Sequence, residues 1–257
     1  MDKGLYRLNY NFMQVNKKQV DFLAKLKKKK YRDEHQKFLL ENPKVIWEEF
    51  SNPLLDSVYV TDNFYKDNED WMVFKNIYKL SEKDLNKISN QVNPLGMLAL
   101  FNMPRVKKFI FKAKHVLILD SIADPGNMGT ILRTADWFGF NHVFLGMGCV
   151  EVYNPKVVAA SMGSIFNISI NEEVDLKNLI KDLKSEGYKI IVTDLMGEDF
   201  AINKKDNIAL VIGNEGKGVD RKIIAMADKR FKIMKSGKAE SLNAAVAAGI
   251  VMNKIKF

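Results

Sequence analysis

The chain has 257 residues, 40 of them Lys or Arg and 31 Asp or Glu, for a formal net charge of +9. Apolar residues make up 47%, which supports a sizeable core and excludes a disordered chain. The single cysteine, Cys149, excludes an intramolecular disulfide framework and a Cys-rich zinc site, and His35, His115 and His142 have no metal-ligand spacing. No apolar run reaches the ~18 residues of a membrane span. The opening MDKGLYRLNYNF lacks the apolar stretch of a secretory signal. The expectation is a cytoplasmic protein of one or two domains, with no metal and no membrane association.

In chain order, the spacing predicts a helix over residues 16–30, with Val20, Phe22, Leu23 and Leu26 as its buried stripe. Its end runs into KLKKKKYR, Lys25 to Arg32, six cations in eight residues. Residues 1–113 hold 21 basic and 14 acidic residues, so most of the excess charge is here. Lys27, Lys28, Lys29, Lys30, Tyr31 and Arg32 are candidate RNA contacts, because a dense cation run attracts polyanions by releasing condensed counterions. A solvated helix face is the competing reading. There follow a short strand at 38–40, a helix at 43–50 with Pro43 in its first turn, and a strand at 57–61. A helix at 81–89 is capped by Ser81, and a strand covers 96–101. Residues 102–114 carry Pro104 and five cations, and are the expected linker between a domain at 1–101 and one at 115–257.

The second part alternates more regularly. Strands are predicted at 116–119, 143–145, 166–170, 190–193 and 209–212, with helices at 129–138, 155–161, 176–186 and 242–254. Apolar strand runs alternating with helices imply an α/β domain built on a mostly parallel sheet. Ligands on such sheets sit beyond the strand C-termini, so the loops that follow strands are the informative ones.

Three such loops stand out. DSIADPGN, Asp120 to Asn127, leads into the helix bearing Arg133. Asn127 reads locally as a turn or cap residue, and Arg133 as a partner of Asp136 at i+3; the functional alternative places Arg133 at a phosphate or sugar. IGNEGKGV, Ile212 to Val219, is neither a Walker loop, since Val219 stands where Ser or Thr is needed, nor a dinucleotide fingerprint. Glu215 between its glycines suits a ligand hydroxyl or amine. IMKSGKAESLN, Ile233 to Asn243, places Glu240, Ser241 and Asn243 at a helix N-terminus, with Ser241 the plain candidate for the cap. No Ser–His–Asp or Cys–His set is evident.

In this order and spacing the three loops resemble the motifs of the SpoU/TrmH branch of SPOUT methyltransferases. The stretches are LDSIADPGNMGTILRTADWFGF (119–140), LVIGNEGKGV (210–219) and IMKSGKAESLNAAVAAGIVM (233–252). KKKKYRDEHQKFLLEN (27–42) and NPLGMLAL (93–100) resemble the family's N-terminal substrate-binding extension, itself similar to a small ribosomal protein. Here Asn42 follows Glu41 where the family often has glycine.

The resemblance implies a C-terminal segment threaded into a trefoil knot, a homodimer with its site built across the interface, and methylation of a ribose 2′-hydroxyl in structured RNA. S-adenosylmethionine would be cradled by the backbone around Gly213, Ile233 and Leu242. Arg133 would be the main catalytic residue, with Asn127, Glu215, Ser241 and Asn243 around it, and no metal would take part. The resemblance implies a general-base role for Arg133; a guanidinium has no acceptor and holds its proton tightly, so fixing a phosphate and stabilising the incipient alkoxide is the simpler alternative, and both roles stand at this point. Large-subunit (23S) rRNA is the expected substrate. A tRNA 2′-O-methyltransferase and a non-catalytic RNA-binding or ribosome-assembly protein are the alternatives.

Overall fold

The computed structural model describes residues 13–68, 76–105, 113–202 and 205–256. The chain divides into two compact units, 1–103 and 104–257. Residues 106–112 of the expected linker lie outside the described residues.

The first unit holds a five-stranded sheet of order β1-β4-β3-β5-β2. Its strands are β1 (Met13–Gln14), β2 (Lys37–Leu40), β3 (Leu55–Val60), β4 (Ile77–Lys79) and β5 (Met97–Asn102). β5 runs antiparallel to both β2 and β3, and Met97 to Phe101 are all buried, as a strand with neighbours on both sides requires. The helices are α1 (Lys17–Lys25), α2 (Lys29–His35), α3 (Pro43–Glu48), α4 (Asp62–Asp67) and α5 (Glu82–Ile88). Ser81 caps α5 by accepting from the Asp84 N–H. Asn42 caps α3 with its side chain at a φ of −92°, an ordinary backbone conformation that needs no glycine.

The expected single helix over 16–30 is two. Asn16 and Gln19 close a capping box at the start of α1, but the helix stops at Lys25 and α2 begins at Lys29. Consecutive lysines repel one another and offer the core nothing to bury. The guanidinium of Arg32 donates to the Leu26 carbonyl at 2.6 Å, satisfying a backbone acceptor that the end of α1 leaves open. Arg32 is only 2% exposed. It is therefore a structural residue, and its reading as an RNA contact is corrected. Tyr31 is half-buried against the cluster of Val20, Leu23 and Leu26, with Lys25 Nζ 5.5 Å from its ring centre. Lys28, Lys29 and Lys30 remain exposed, and Lys27 partly so.

The second unit is a six-stranded sheet of order β11-β9-β10-β6-β7-β8. Its strands are β6 (His115–Asp120), β7 (His142–Gly146), β8 (Ser169–Val174), β9 (Lys189–Glu198), β10 (Ile208–Gly213) and β11 (Lys229–Phe231). Every pairing is parallel. β6 and β10 lie at the centre and are buried along their whole length, which is why both read as unbroken apolar runs. The helices are α6 (Pro125–Phe138), α7 (Pro155–Ser161), α8 (Leu176–Ser185), α9 (Arg221–Ile224) and α10 (Ala244–Lys256). Leu176, Leu179, Ile180 and Leu183 of α8 pack on Val116, Ile118, Val192 and Val211 of the sheet. α6 and α7 touch at Gly129, where a Cβ would stand 2.5 Å from the Ala160 Cβ and 2.6 Å from the Val157 carbonyl oxygen.

The predicted strand at 166–170 is displaced. Residues Ser164–Phe166 form a 3-10 turn and the strand starts at Ser169, because Ile165 is drawn into the core while the edge strand buries none of its residues. An all-parallel sheet places all its strand C-termini at one edge. Asp120, Gly146, Glu198, Gly213 and Phe231 end there, and the loops that leave them share that edge.

Candidate active site

The loop after β10 folds back on itself. Asn214 and Gly218 exchange backbone hydrogen bonds at 3.1 and 2.9 Å, and the Asn214 side chain accepts from the N–H groups of Gly216 and Lys217 at 3.0 and 3.1 Å. The turn passes so close to the end of β10 that a Cβ on Gly213 would stand 2.3 Å from the Val219 nitrogen and 2.4 Å from the Gly218 carbonyl carbon. Two bonds tie this loop to the end of β6. Asn214 donates to the Ser121 carbonyl at 2.9 Å, and the buried Asp120 carboxylate accepts from the Asp220 N–H at 2.7 Å. Ser121 itself sits at a φ of 60°, a left-handed position that a serine adopts only when its surroundings hold it there.

This arrangement presents Glu215 to α6. Asp124, not Asn127, caps that helix, accepting from the Asn127 N–H at 2.7 Å. Asn127 lies in the first turn, and its side chain is free to face the loops. Asn127 Nδ2 donates to Glu215 Oε1 at 2.6 Å, and Asn127 Oδ1 accepts from Asn243 Nδ2 at 2.8 Å. Asn243 Oδ1 in turn accepts from the N–H groups of Ala245 and Val246 at 2.9 and 3.3 Å. Asn243 therefore caps α10, and the expectation that Ser241 does so is corrected. Asn is as good a cap as Ser, and its longer side chain also reaches Asn127. The bonds run in one sense, from the positive N-terminus of α10 through two amides to the Glu215 carboxylate. That sense fixes which way both amides are turned.

The structure thus brings together Asn127, Glu215 and Asn243. Ser241 is exposed two residues before Asn243, outside this set. Arg133 is exposed on α6 and, among the described residues, no group accepts from its guanidinium. The local partner expected for it, Asp136, accepts from Asn167 Nδ2 at 2.9 Å instead. Arg133 lies six residues beyond Asn127, about 9 Å further along the helix and about 120° round it. It shares its face with Trp137, which is 83% exposed. The nearby thiol of Cys149 accounts for no chemistry here: burial pushes its pKa up to about 11, leaving it protonated and unreactive.

At the same edge, a set of large apolar side chains stands in solvent. Leu195 and Met196 in the outer part of β9 are 61% and 79% exposed, Met234 is 65% and Leu242 46%. Arg230 holds the first two in place, pairing with Asp194 at 3.0 Å and donating to the Met196 carbonyl at 2.8 Å. Ile233, next to Met234 in sequence, is half-buried. Exposed apolar groups at the edge where the Gly213 loop turns back suit a flat nucleoside with a short charged tail, so the residues present fit S-adenosylmethionine. Among the described residues there is no cluster of three or more His, Cys, Asp or Glu that could hold a metal ion. No helix among them is long and apolar enough to cross a membrane.

Sequence reasoning passed over Asp120, Ser121 and Asn214, which shape the loops rather than face the cluster. Asn214 carried a usable signal, since Asn at the head of a glycine-rich turn commonly bonds backbone two residues on.

Residues 114–253 match the SpoU rRNA Methylase family, and residues 17–99 match the MRM3-like substrate binding domain. The 23S rRNA (guanosine(2553)-2′-O)-methyltransferase RlmP of Bacillus subtilis is 32% identical over 243 residues, 94% of this chain and 96% of that protein. Mitochondrial rRNA methyltransferase 3 of Xenopus tropicalis is 32% identical over 183 residues, 65% of this chain and 43% of that protein. Among solved structures, a TrmH-family RNA methyltransferase from Porphyromonas gingivalis superposes with a TM-score of 0.81 at 32% identity, covering 94% of this chain and 98% of that one. The AdoMet-bound rRNA methyltransferase of Sinorhizobium meliloti does so with a TM-score of 0.81 at 25% identity, covering 95% and 97%.

Proposed function

The chain belongs to the SpoU rRNA methylase family, the S-adenosylmethionine-dependent RNA 2′-O-methyltransferases, and we propose that it methylates a ribose 2′-hydroxyl in 23S rRNA in the cytoplasm. The observation that carries this reading is the directed set Asn243–Asn127–Glu215, assembled from the first turn of α6, the loop after β10 and the start of α10. The choice of 23S rRNA is supported by similarity to the Bacillus enzyme across both units. The knotted threading of the C-terminal segment and the homodimer belong to the same reading.

When bound, S-adenosylmethionine supplies an electrophilic methyl group. Gly213, Ile233 and Leu242 would hold it, with Leu195 and Met196 as an apolar lip. Transfer to a hydroxyl needs in-line placement and stabilisation of the alkoxide that forms as the O–H bond weakens. Glu215 is fixed through one carboxylate oxygen by Asn127, and among the described residues no group bonds the other, which can accept from the ribose. Ser241, exposed beside Asn243, orients the hydroxyl. Arg133 supplies the positive charge at the phosphate and the alkoxide.

In a lone protomer Arg133 does not share a face with Asn127. The dimer reading resolves this. Trp137 on α6 stands 83% exposed, and Val246 and Ile250, one turn apart on α10, are 51% and 41% exposed. α6 and α10 pack on one another, and a second copy covering these exposed side chains would bury apolar surface on the helix that carries Arg133. Arg133 would then serve the site of the partner protomer. Lys27, Lys28, Lys29 and Lys30, with Tyr31 among them, contribute phosphate contacts that position RNA without choosing the nucleotide.

The experiment is incubation of the protein with methyl-labelled S-adenosylmethionine and separate pools of unmodified 23S rRNA, 16S rRNA and tRNA, followed by nucleoside analysis. The expected product is a ribose-methylated nucleoside from the 23S pool alone. Label in tRNA would replace the substrate, label on a base would replace the chemistry, cofactor binding with no label in any pool would point to an assembled particle as substrate, and neither label nor cofactor binding would favour a non-catalytic RNA-binding role.

A further inference from the structure

Charge counted over the whole second part is nearly balanced, yet it is not evenly spread. Residues 217–238 hold eight basic residues (Lys217, Arg221, Lys222, Lys229, Arg230, Lys232, Lys235 and Lys238) and two acidic ones, Asp220 and Asp228, a surplus of six. Both carboxylates are already engaged. Asp220 caps α9 by accepting from the Lys222 N–H at 2.7 Å, and Asp228 pairs with Lys184 at 2.8 Å and accepts from the Ile190 N–H. Three of the cations also have local roles: Arg230 with Asp194, Lys229 over the Phe200 ring at 5.4 Å, and Lys235 on the Ala239 carbonyl at 3.2 Å. Among the described residues, no carboxylate lies within ion-pair distance of the other five, Lys217, Arg221, Lys222, Lys232 and Lys238. All five are exposed except Lys232, which is partly so.

Their placement follows from the parallel sheet. Lys217 and α9 follow β10, and Lys232 to Lys238 follow β11, so both groups leave the C-terminal edge that carries the cluster. Lys217 is two residues from Glu215, at most about 7 Å along the chain, and Lys238 is five residues from Asn243, at most about 18 Å. Asp120 anchors the start of α9 to the end of β6, so Arg221 and Lys222 are presented from a fixed base.

A cation cluster left without counter-charges stores unfavourable self-repulsion, which a polyanion relieves. We infer that Lys217, Arg221, Lys222, Lys232 and Lys238 form a second RNA-binding surface, on the catalytic unit itself, which takes the backbone phosphates flanking the target ribose. This inference rests on the RNA methyltransferase reading. It also adds to where RNA affinity resides: the Lys27–Lys30 run belongs to the first unit, while this surface belongs to the unit that carries the cluster. Each phosphate contact neutralised contributes about 0.7 to 0.9 to the salt slope of binding.

The test compares the full-length protein with a K217Q/K222Q/K238Q variant, titrated with a transcribed 23S rRNA fragment between 50 and 200 mM salt, alongside K27Q/K28Q/K30Q. The first variant is expected to lose about two units of salt slope and roughly tenfold or more in affinity, with cofactor affinity and melting temperature unchanged. Wild-type slope and affinity in that variant would overturn the inference. Should it also lose cofactor affinity, R221Q/K222Q, which lies off the cofactor loops, decides by the same slope: a reduced slope supports the surface and an unchanged one removes it. Wild-type protein that binds RNA through these residues yet methylates none would remove the enzymatic reading and leave the surface standing.

Discussion

Asn127 and Glu215, 88 residues apart in sequence, meet through a 2.6 Å hydrogen bond whose donor is the amide. The direction of that bond is set from behind, because Asn243 occupies the amide oxygen of Asn127. Asn127→Ala therefore frees Glu215 and strands the Asn243 amide, while removing nothing that α6 needs for its cap, which is Asp124. The expected outcome is a loss of roughly 10²- to 10³-fold in kcat, the scale of a lost transition-state donor, with an unchanged circular dichroism spectrum. Asn127→Asp should be at least as damaging, because it sets a carboxylate against Glu215. Wild-type kcat in either variant would remove the cluster from the chemistry.

The exposed Arg133 leads to a complementation test. If Arg133 serves the partner's site, a dimer of one Arg133→Ala and one Asn243→Ala protomer keeps one intact site, since both lesions fall in the other. Refolding equal amounts of the two inactive variants together gives half mixed dimers, so turnover should return to about a quarter of wild type. Complementation absent from mixed dimers verified by mass would place Arg133 within its own protomer's site.

Much of the fold was legible because its centre is simple. β6 and β10 are buried along their length and read as apolar runs whatever surrounds them. β11, with Phe231 its only buried residue, and the four-residue α9 carry no period that could have announced them. The cationic run shows the converse. Spacing alone made Arg32 one cation among six, whereas its burial depends on the Leu26 carbonyl that the broken helix leaves open. The three motif loops were visible as loops, but which of their polar residues meet was not. Ser241 and Asn243 are equally good caps by propensity, and only the reach to Asn127 across 116 residues favours the second. Distance in sequence hides such pairings, and it is the parallel sheet that closes them.

Gly213 is the position where backbone itself fills the space. A Cβ there would meet the Val219 nitrogen and the Gly218 carbonyl rather than a side chain that could turn aside. Gly213→Ala must therefore move the loop that presents Glu215. A cost of about 1–3 kcal/mol in stability is expected, read by denaturant unfolding. Loss of S-adenosylmethionine affinity, read by calorimetry, should accompany it. An alanine variant with full cofactor affinity would show that the loop does not take part in holding the cofactor.

The first residue of β6 makes stability depend on pH. His115 is 5% exposed and packs its ring 5.5 Å from that of Phe140. Burial, reinforced by the charges of Lys256 and Lys114, lowers its pKa from 6.5 to about 4. Burial moves His142 in the same direction. The folded protein thus keeps His115 neutral where the unfolded chain protonates it. Between pH 6.5 and about 4 the unfolded state binds more protons, so stability is intact above 6.5 and declines as the pH falls through that window. At about 1.4 kcal/mol per unit, His115 accounts for at most about 3.5 kcal/mol of the loss. Denaturant unfolding at pH 7.5 and 5 should show the decline in wild type and a smaller one in His115→Gln. Equal declines in both would move the acid sensitivity to other groups.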